Sequence, residues 1–258
     1  MTSVNIYIIT YGPHRIDLEK QCIERTHHIA KKCKYDCHLY ICDNNSPQEF
    51  KDWLKKYEST PDVSVYIHSE NIGKARIVNM VHKTARKSDY IVSMDSDMII
   101  QEDCLDFFEK LIEPVDNIVD INGRKFNVGA VSSDQLLHPC HQWQMIKIDV
   151  DYKGTKYKTA SGGIAGGILA MTTKLWESIG GYVESKLIFG GNDGNLLAQV
   201  RSKGQAVLVS LASRAEHLGH HETPELKKYH EWKVAEARGK HTIDKFQPNR
   251  GYYDGNKS

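Results

Sequence analysis

The most concentrated chemistry in the sequence is Ser93-Met94-Asp95-Ser96-Asp97, which follows the apolar stretch Tyr90-Ile91-Val92. Such a stretch reads as a buried strand. Two carboxylates one residue apart at a strand end project to the same side, so both can reach one bound cation. A hard divalent ion takes oxygen ligands, bridges a diphosphate and neutralises charge that develops on a departing phosphate. The same residues also suit a local role, an Asx-type turn or a helix cap at Asp97. Three more polar segments follow apolar runs: Thr10-Tyr11-Gly12, Asp43-Asn44-Asn45 and Glu70-Asn71-Ile72-Gly73. In an open parallel sheet, ligands sit beyond the carboxyl ends of the strands. The four segments together therefore outline a crevice of the kind a nucleotide needs. A glycine-dense run at 161–167 offers close backbone approach and mobility. Its spacing matches neither the dinucleotide fingerprint nor a phosphate loop.

The elements that must carry these residues alternate through the first hundred positions. Apolar runs at 4–9, 37–42, 63–67 and 90–94 read as strands, separated by helix-like segments at 15–32, 48–57 and 73–86. Alternation with crossovers of this length predicts a parallel sheet covered on both faces. After Asp97 the rhythm breaks. A helix is expected over 102–112, irregular strands and loops over 114–160, a strand over 168–171 and a helix over 173–179 closed by Gly180-Gly181. A second helix over 192–203 stops at Gly204, and a strand follows over 206–209. Trp176 falls on an amphipathic helix and reads as core. Trp143 and His141 are better placed to line a cleft.

Composition narrows the class. The 258 residues carry 34 Lys+Arg against 33 Asp+Glu, a net charge of +1, so global charge points to neither nucleic acid nor membrane. With 40% hydrophobic and 26% charged residues, the chain is that of an ordered globular protein. No run of about 18 uncharged apolar residues is present to span a bilayer. The start, Met1-Thr2-Ser3-Val4-Asn5, does not read as a secretory signal. Cys22, Cys33, Cys37, Cys42, Cys104 and Cys140 have no regular spacing and read as free thiols, which favours a cytoplasmic setting.

Over residues 4–221 the chain resembles the family 2 glycosyltransferases and their relatives of the glycosyltransferase A fold. The carriers are Ile8-Ile9-Thr10-Tyr11, Cys42-Asp43-Asn44-Asn45-Ser46, Asn71-Ile72-Gly73-Lys74-Ala75-Arg76 with Asn79, and Met94-Asp95-Ser96-Asp97. In the second half they are Gly166-Gly167-Ile168-Leu169-Ala170-Met171, Leu175-Trp176-Glu177-Ser178-Ile179-Gly180-Gly181-Tyr182, Phe189-Gly190-Gly191-Asn192-Asp193 and Glu216-His217-Leu218-Gly219. The resemblance implies one α/β catalytic domain over 1–222, with a Rossmann-like, mostly parallel sheet flanked by helices. Its nucleotide-binding half covers about 1–100 and its acceptor half about 101–222. A helical and extended C-terminal tail then occupies 223–258.

The resemblance also implies roles. Thr10, Tyr11 and Asp43 would hold the nucleobase, and Asn71, Gly73 and Arg76 would line the nucleotide pocket. Asp95 would face the ribose or sugar, and could join Asp97 and His217 around a divalent ion, Mn2+ or Mg2+. Gly166, Gly167, Gly190, Gly191 and Asn192 would form the loops around donor and acceptor. Asp193 would be the general base of an inverting transfer, although Asn192 stands where family members usually carry an acid. Asp193 also suits a first-turn carboxylate at a helix N-terminus. His220 and His221 sit close enough to His217 to replace it, or to form a separate metal site.

The implied donor is a nucleotide-diphosphate sugar, with a UDP-sugar favoured. A glycan, a lipid-linked glycan, a protein and a modified DNA base stay open as acceptors. The tail interleaves basic residues with Tyr229, Trp232, Phe246, Tyr252 and Tyr253, which suits either an acidic acceptor or packing on the body. Two other readings are a sugar-phosphate nucleotidyltransferase and a non-catalytic nucleotide-sugar-binding module. The first expects a glycine- and arginine-rich N-terminal loop, which Thr10-Tyr11-Gly12-Pro13-His14 does not resemble.

Overall fold

The structure is a computed structural model and describes residues 1–13, 15–136, 145–160, 164, 166–188, 192–220 and 224–237. His141, Trp143, Gly190, Gly191, His221, the side chain of His220 and the tail after 237 lie outside the described residues.

Strands β1 (Ser3–Thr10), β2 (Asp36–Asn44), β3 (Val63–His68) and β4 (Tyr90–Asp95) pair in parallel in the order β3-β2-β1-β4. Both faces of this sheet are covered, which is why its strands read as near-continuous apolar runs. Along β1, Val4, Ile6 and Ile8 point into one layer with Cys22, Ile23 and Ile29 of α1 (Ile16–Lys32) and Phe50 of α2 (Gln48–Leu54). Tyr7 and Ile9 point into the other, against Ile77, Val78 and Val81 of α3 (Gly73–Thr84). The buried positions of α1 recur at the three- and four-residue spacing of one helix face.

The second half extends the sheet past β4. In chain order it supplies β5 (Met98–Ile100), α4 (Phe107–Ile112), β6 (Ile118–Ile121), β7 (Arg124–Leu136), β8 (Met145–Tyr152), β9 (Thr155–Ala160) and β10 (Ile168–Thr172). Then come helices α5 (Thr173–Ser178) and α6 (Asn192–Ser202), strand β11 (Ala206–His217) and helix α7 (Pro224–Ala237). The sheet order continues β4-β10-β7-β11-β9-β8, with β10 antiparallel to both neighbours and β11 parallel to β7. No helix among the described residues is long and apolar enough to cross a membrane.

Three departures from the sequence expectation bear on the site. Within 114–160 the described residues are more regular than expected: they hold the antiparallel pairs β6–β7 and β8–β9. Their sheet partners β10 and β11 lie far along the chain, so local periodicity gives a weak signal. The helix expected from 102 starts only at Phe107, because the preceding residues turn, with Cys104 N–H donating to Gln101 O. The strand expected to end at 209 runs on to His217 through an irregularity between Ser210 and Arg214. That extension pairs with β5, placing His217 opposite Met98. Trp176 is core, with 1% of its surface exposed.

Candidate active site

The carboxyl ends of β1 and β4 flank the place where the strand order reverses, and a cavity of about 150 Å³ lies there. Its walls include Tyr11 and Arg15 after β1, Asn44 from β2, and Asn71, Gly73 and Lys74 at the start of α3. Asp95 and Asp97 come from the end of β4, Asn192 and Asp193 from α6, and Tyr229 and Trp232 from α7.

Backbone bonds from distant segments fix the Asp95-Ser96-Asp97 turn. Asp95 N–H donates to Gly167 O at 2.7 Å, and Leu218 N–H donates to Asp97 O at 3.0 Å. β4 ends at Asp95, so strand alternation does not place Asp97; the β5–β11 pairing does. Both carboxylates reach the cavity, but with different partners. Asp97 Oδ1 lies 3.4 Å from His217 Nε2. His217 Nδ1 lies 3.1 Å from Gln135 Oε1, an acceptor only, so that nitrogen carries the proton and Nε2 is left to face Asp97. A Cβ at Gly219 would collide with the Asp97 carboxylate, so the glycine keeps this corner open.

Asp97 and His217 could supply two ligands to a divalent cation, although among the described residues no group of three or more His, Cys, Asp or Glu side chains gathers to hold one. A carboxylate oxygen and an imidazole nitrogen 3.4 Å apart can both bond one ion at roughly 2.0–2.2 Å. Gln135 supplies the outer partner that metal-binding histidines ordinarily have. Among the described lining residues, three carboxylates (Asp95, Asp97, Asp193) stand against two cations (Arg15, Lys74).

Asp95 belongs to a second cluster. Lys74 Nζ lies 2.8 Å from Asp95 Oδ1 and 2.9 Å from Asp193 Oδ1, and donates to Gly166 O at 3.2 Å. The Tyr182 hydroxyl sits 3.2 Å from Asp193 Oδ1 and 2.9 Å from Ser93 Oγ. Burial would lower the Lys74 pKa, but the two carboxylates outweigh it and hold the ammonium charged. Burial raises the Asp95 carboxyl, and Lys74 opposes that rise. Gly166 earns its glycine because a Cβ there would strike the Asp193 carboxylate. Gly167 would press its Cβ to 2.6 Å from Met98 Sδ.

The other expected site residues divide. Tyr11, Asn71, Gly73 and Asn192 line the cavity; Thr10, Asp43 and Arg76 do not. Asp43 is fully buried beneath it, accepting from Thr10 Oγ1 at 3.0 Å and from Ser46 N–H. Its neighbour Asn44 lines the wall instead and accepts from Ile72 N–H at 2.9 Å. Arg76 lies farther along α3, half-buried. Sequence reasoning gave no site role to Arg15, Lys74, Gln135 or Tyr182, and left Tyr229 and Trp232 as tail aromatics suited to an acceptor or to packing, whereas both line the cavity. Lys74 stood inside a quoted motif; Gln135 carried no signal, because only the β7–β11 register puts it beside Ala215 and under His217.

The family model described as glycosyl transferase family 2 matches residues 6–176. The chain belongs to glycosyl transferase family 2. A second model, the N-terminal domain of galactosyltransferase, matches residues 147–222, the part of this family 2 chain that contains Asp193 and His217. No curated protein matches the chain.

Among solved structures, the chain is similar to the mannosyltransferase PcManGT from Pyrobaculum calidifontis, in complex with GDP-Man and Mn2+. The TM-score is 0.62 at 16% identity, over 92% of this chain and 63% of that one. It is also similar to S. aureus TarS 1–349 in complex with UDP-GlcNAc, with TM-score 0.57 and 14% identity, over 88% of this chain and 61% of that one. A third is GalNAc-T7 with UDP, GalNAc and Mn2+, with TM-score 0.55 and 15% identity, over 88% and 47%. The chain spans less than two thirds of each of these structures. The fold of this family 2 chain is that of the glycosyltransferase A enzymes, as the sequence resemblance implied.

Proposed function

We propose that the chain is a metal-dependent glycosyltransferase that moves a sugar from a nucleoside-diphosphate sugar, with UDP-sugars favoured, to an acceptor hydroxyl with inversion. The observation that carries this reading is that Asp95, Asp97 and Asp193 line one cavity at the strand ends, with the buried His217 3.4 Å from Asp97 Oδ1 although it does not itself line the cavity. The glycosyltransferases with which the chain shares its fold are in complex with UDP, UDP-GlcNAc or GDP-Man, two of them with Mn2+, which supports the donor class and the ion. Asp97 and His217 would hold the ion, with Asp95 alongside. When bound, it supplies positive charge against the departing diphosphate.

This chain's own residues do the rest. Asp193 takes the acceptor hydroxyl proton. The acceptor oxygen bonds the anomeric carbon as its bond to the donor phosphate oxygen breaks, and the diphosphate leaves with that electron pair. Tyr182 and Lys74 orient the Asp193 carboxylate. The five described cysteines are free thiols, which supports a reducing, cytoplasmic setting.

Asp193→Asn tests the base. It should keep donor affinity in calorimetry and lower transfer by about 10²–10⁴-fold. A variant that transfers at a rate near wild type removes Asp193 from that role. Asp97→Ala in the same assay should abolish the dependence of donor binding on Mn2+.

A further inference from the structure

The cavity already holds a cation on the carboxylate that the proposed ion needs. Arg15 enters from the loop after β1, its side chain 7% exposed. Nη1 donates to Asp97 Oδ2 at 2.9 Å, Nη2 to Ser96 Oγ at 3.2 Å, and Nε to Glu19 Oε1 at 3.1 Å. The fourth side of the guanidinium is covered by the Tyr229 ring, 4.2 Å from its central carbon to the ring centroid. Tyr229 stacks on Trp232, which packs against Tyr11 across the cavity mouth with centroids 5.2 Å apart. A tail helix therefore closes on the donor crevice. The remaining space, about 150 Å³, falls below the roughly 300 Å³ at which small-molecule sites begin.

We propose that Arg15 is a resident counter-cation of the Asp97 site: it occupies Asp97 while no donor is bound, α7 holds it there through Tyr229, and it yields when a diphosphate arrives. The inference rests on Asp97 and His217 being the metal ligands, as proposed above. An ion seated between those two residues would lie beside a guanidinium pinned to the same carboxylate. Two like charges in a partly desolvated cavity repel strongly. A diphosphate removes the conflict, because its oxygens can neutralise both cations at once, and Arg is well suited to them. Ion and donor then bind as a coupled pair, each raising the affinity for the other by the same factor. Arg15 is in this sense a positioning residue for the metal site, and Tyr229 its latch.

The test is a Mn2+ titration of the full-length protein, followed by the electron paramagnetic resonance signal of free Mn2+, without nucleotide and then with UDP. Arg15→Met should bind Mn2+ at least tenfold more tightly than wild type without nucleotide, and UDP should enhance that binding less than it does in wild type. Tyr229→Leu leaves Asp97, Ser96 and Glu19 unchanged and should shift Mn2+ affinity in the same direction by a smaller factor. If Arg15→Met does not fold, as judged by its circular dichroism, Tyr229→Leu decides alone. Unchanged Mn2+ affinity in the folded variants overturns the inference. Adding Asp97→Ala to the Tyr229→Leu background separates the two levels. If Mn2+ still binds tightly there, the metal-site reading itself has failed; if binding is lost, any failure belongs to Arg15 alone.

Discussion

Glu19 accepts three hydrogen bonds on one oxygen: from Tyr11 N–H at 3.0 Å, Arg15 Nε at 3.1 Å and Ser96 Oγ at 2.8 Å. Its other oxygen is buried without a partner. Burial pushes the carboxyl up to about 7, with Arg15 and the hydrogen bonds pulling against it. The folded state therefore holds a proton on Glu19 that the unfolded chain releases near pH 4.5. Because the native state binds more protons in that window, this group's contribution makes stability fall as pH rises from about 4.5 to 7. Thermal melts at constant ionic strength should show a steeper loss between pH 5 and 7 in the wild type than in Glu19→Gln. Equal slopes would mean that the charge network around Arg15 titrates elsewhere.

At the scale of elements, the start of α3 depends on one backbone conformation. Gly73 has φ of +78°, and a Cβ there would stand 2.6 Å from Ile188 O. Asn71 Oδ1 accepts from Gly73 N–H at 3.1 Å and fixes the turn. The next residue is Lys74, so the strained position sets where the ammonium between Asp95 and Asp193 sits. Gly73→Ala should lower stability by about 2 kcal/mol, from left-handed strain plus the clash. Denaturant unfolding measures the loss, and donor affinity should fall with it. A variant as stable as wild type would show that Ile188 can move aside at little cost.

At the scale of the molecule, the proposed ligands come from both halves. Asp95 and Asp97 end the parallel half, whereas His217 and Asp193 belong to β11 and α6. A donor and ion bound among them stabilise the whole fold by linkage, about 2.7 kcal/mol at one hundred times the dissociation constant. For a chain of this size that corresponds to a rise in Tm of roughly 5–10 °C. A panel of nucleotide sugars with and without Mn2+ should reveal the donor by this shift. A shift that does not depend on Mn2+ would take the ion out of the donor site.

The parallel half was legible because each strand carries a continuous apolar run and each strand end a polar loop, signals contained in a few adjacent residues. Asp95, Asp97, Asn71 and Gly73 could be picked out on that basis, and His217 and Asp193 by resemblance. The second half was harder: β7 and β11 find their partners across the chain, and the irregularity before Arg214 hides the final stretch of β11 from any periodic pattern. Thr10 and Asp43 face each other at the ends of the adjacent strands β1 and β2, yet Asp43 accepts from Thr10 Oγ1 and Ser46 N–H and does not line the cavity, which only the tertiary packing decides. The amino-acid order by itself determined the layered architecture and the residue types at the crevice, since both follow from local patterning. Only tertiary structure decided that Arg15 sits on Asp97, Lys74 between two carboxylates and Gln135 behind His217, because a charge finds its partner by proximity in space, and these partners lie 21 to 119 positions apart along the chain.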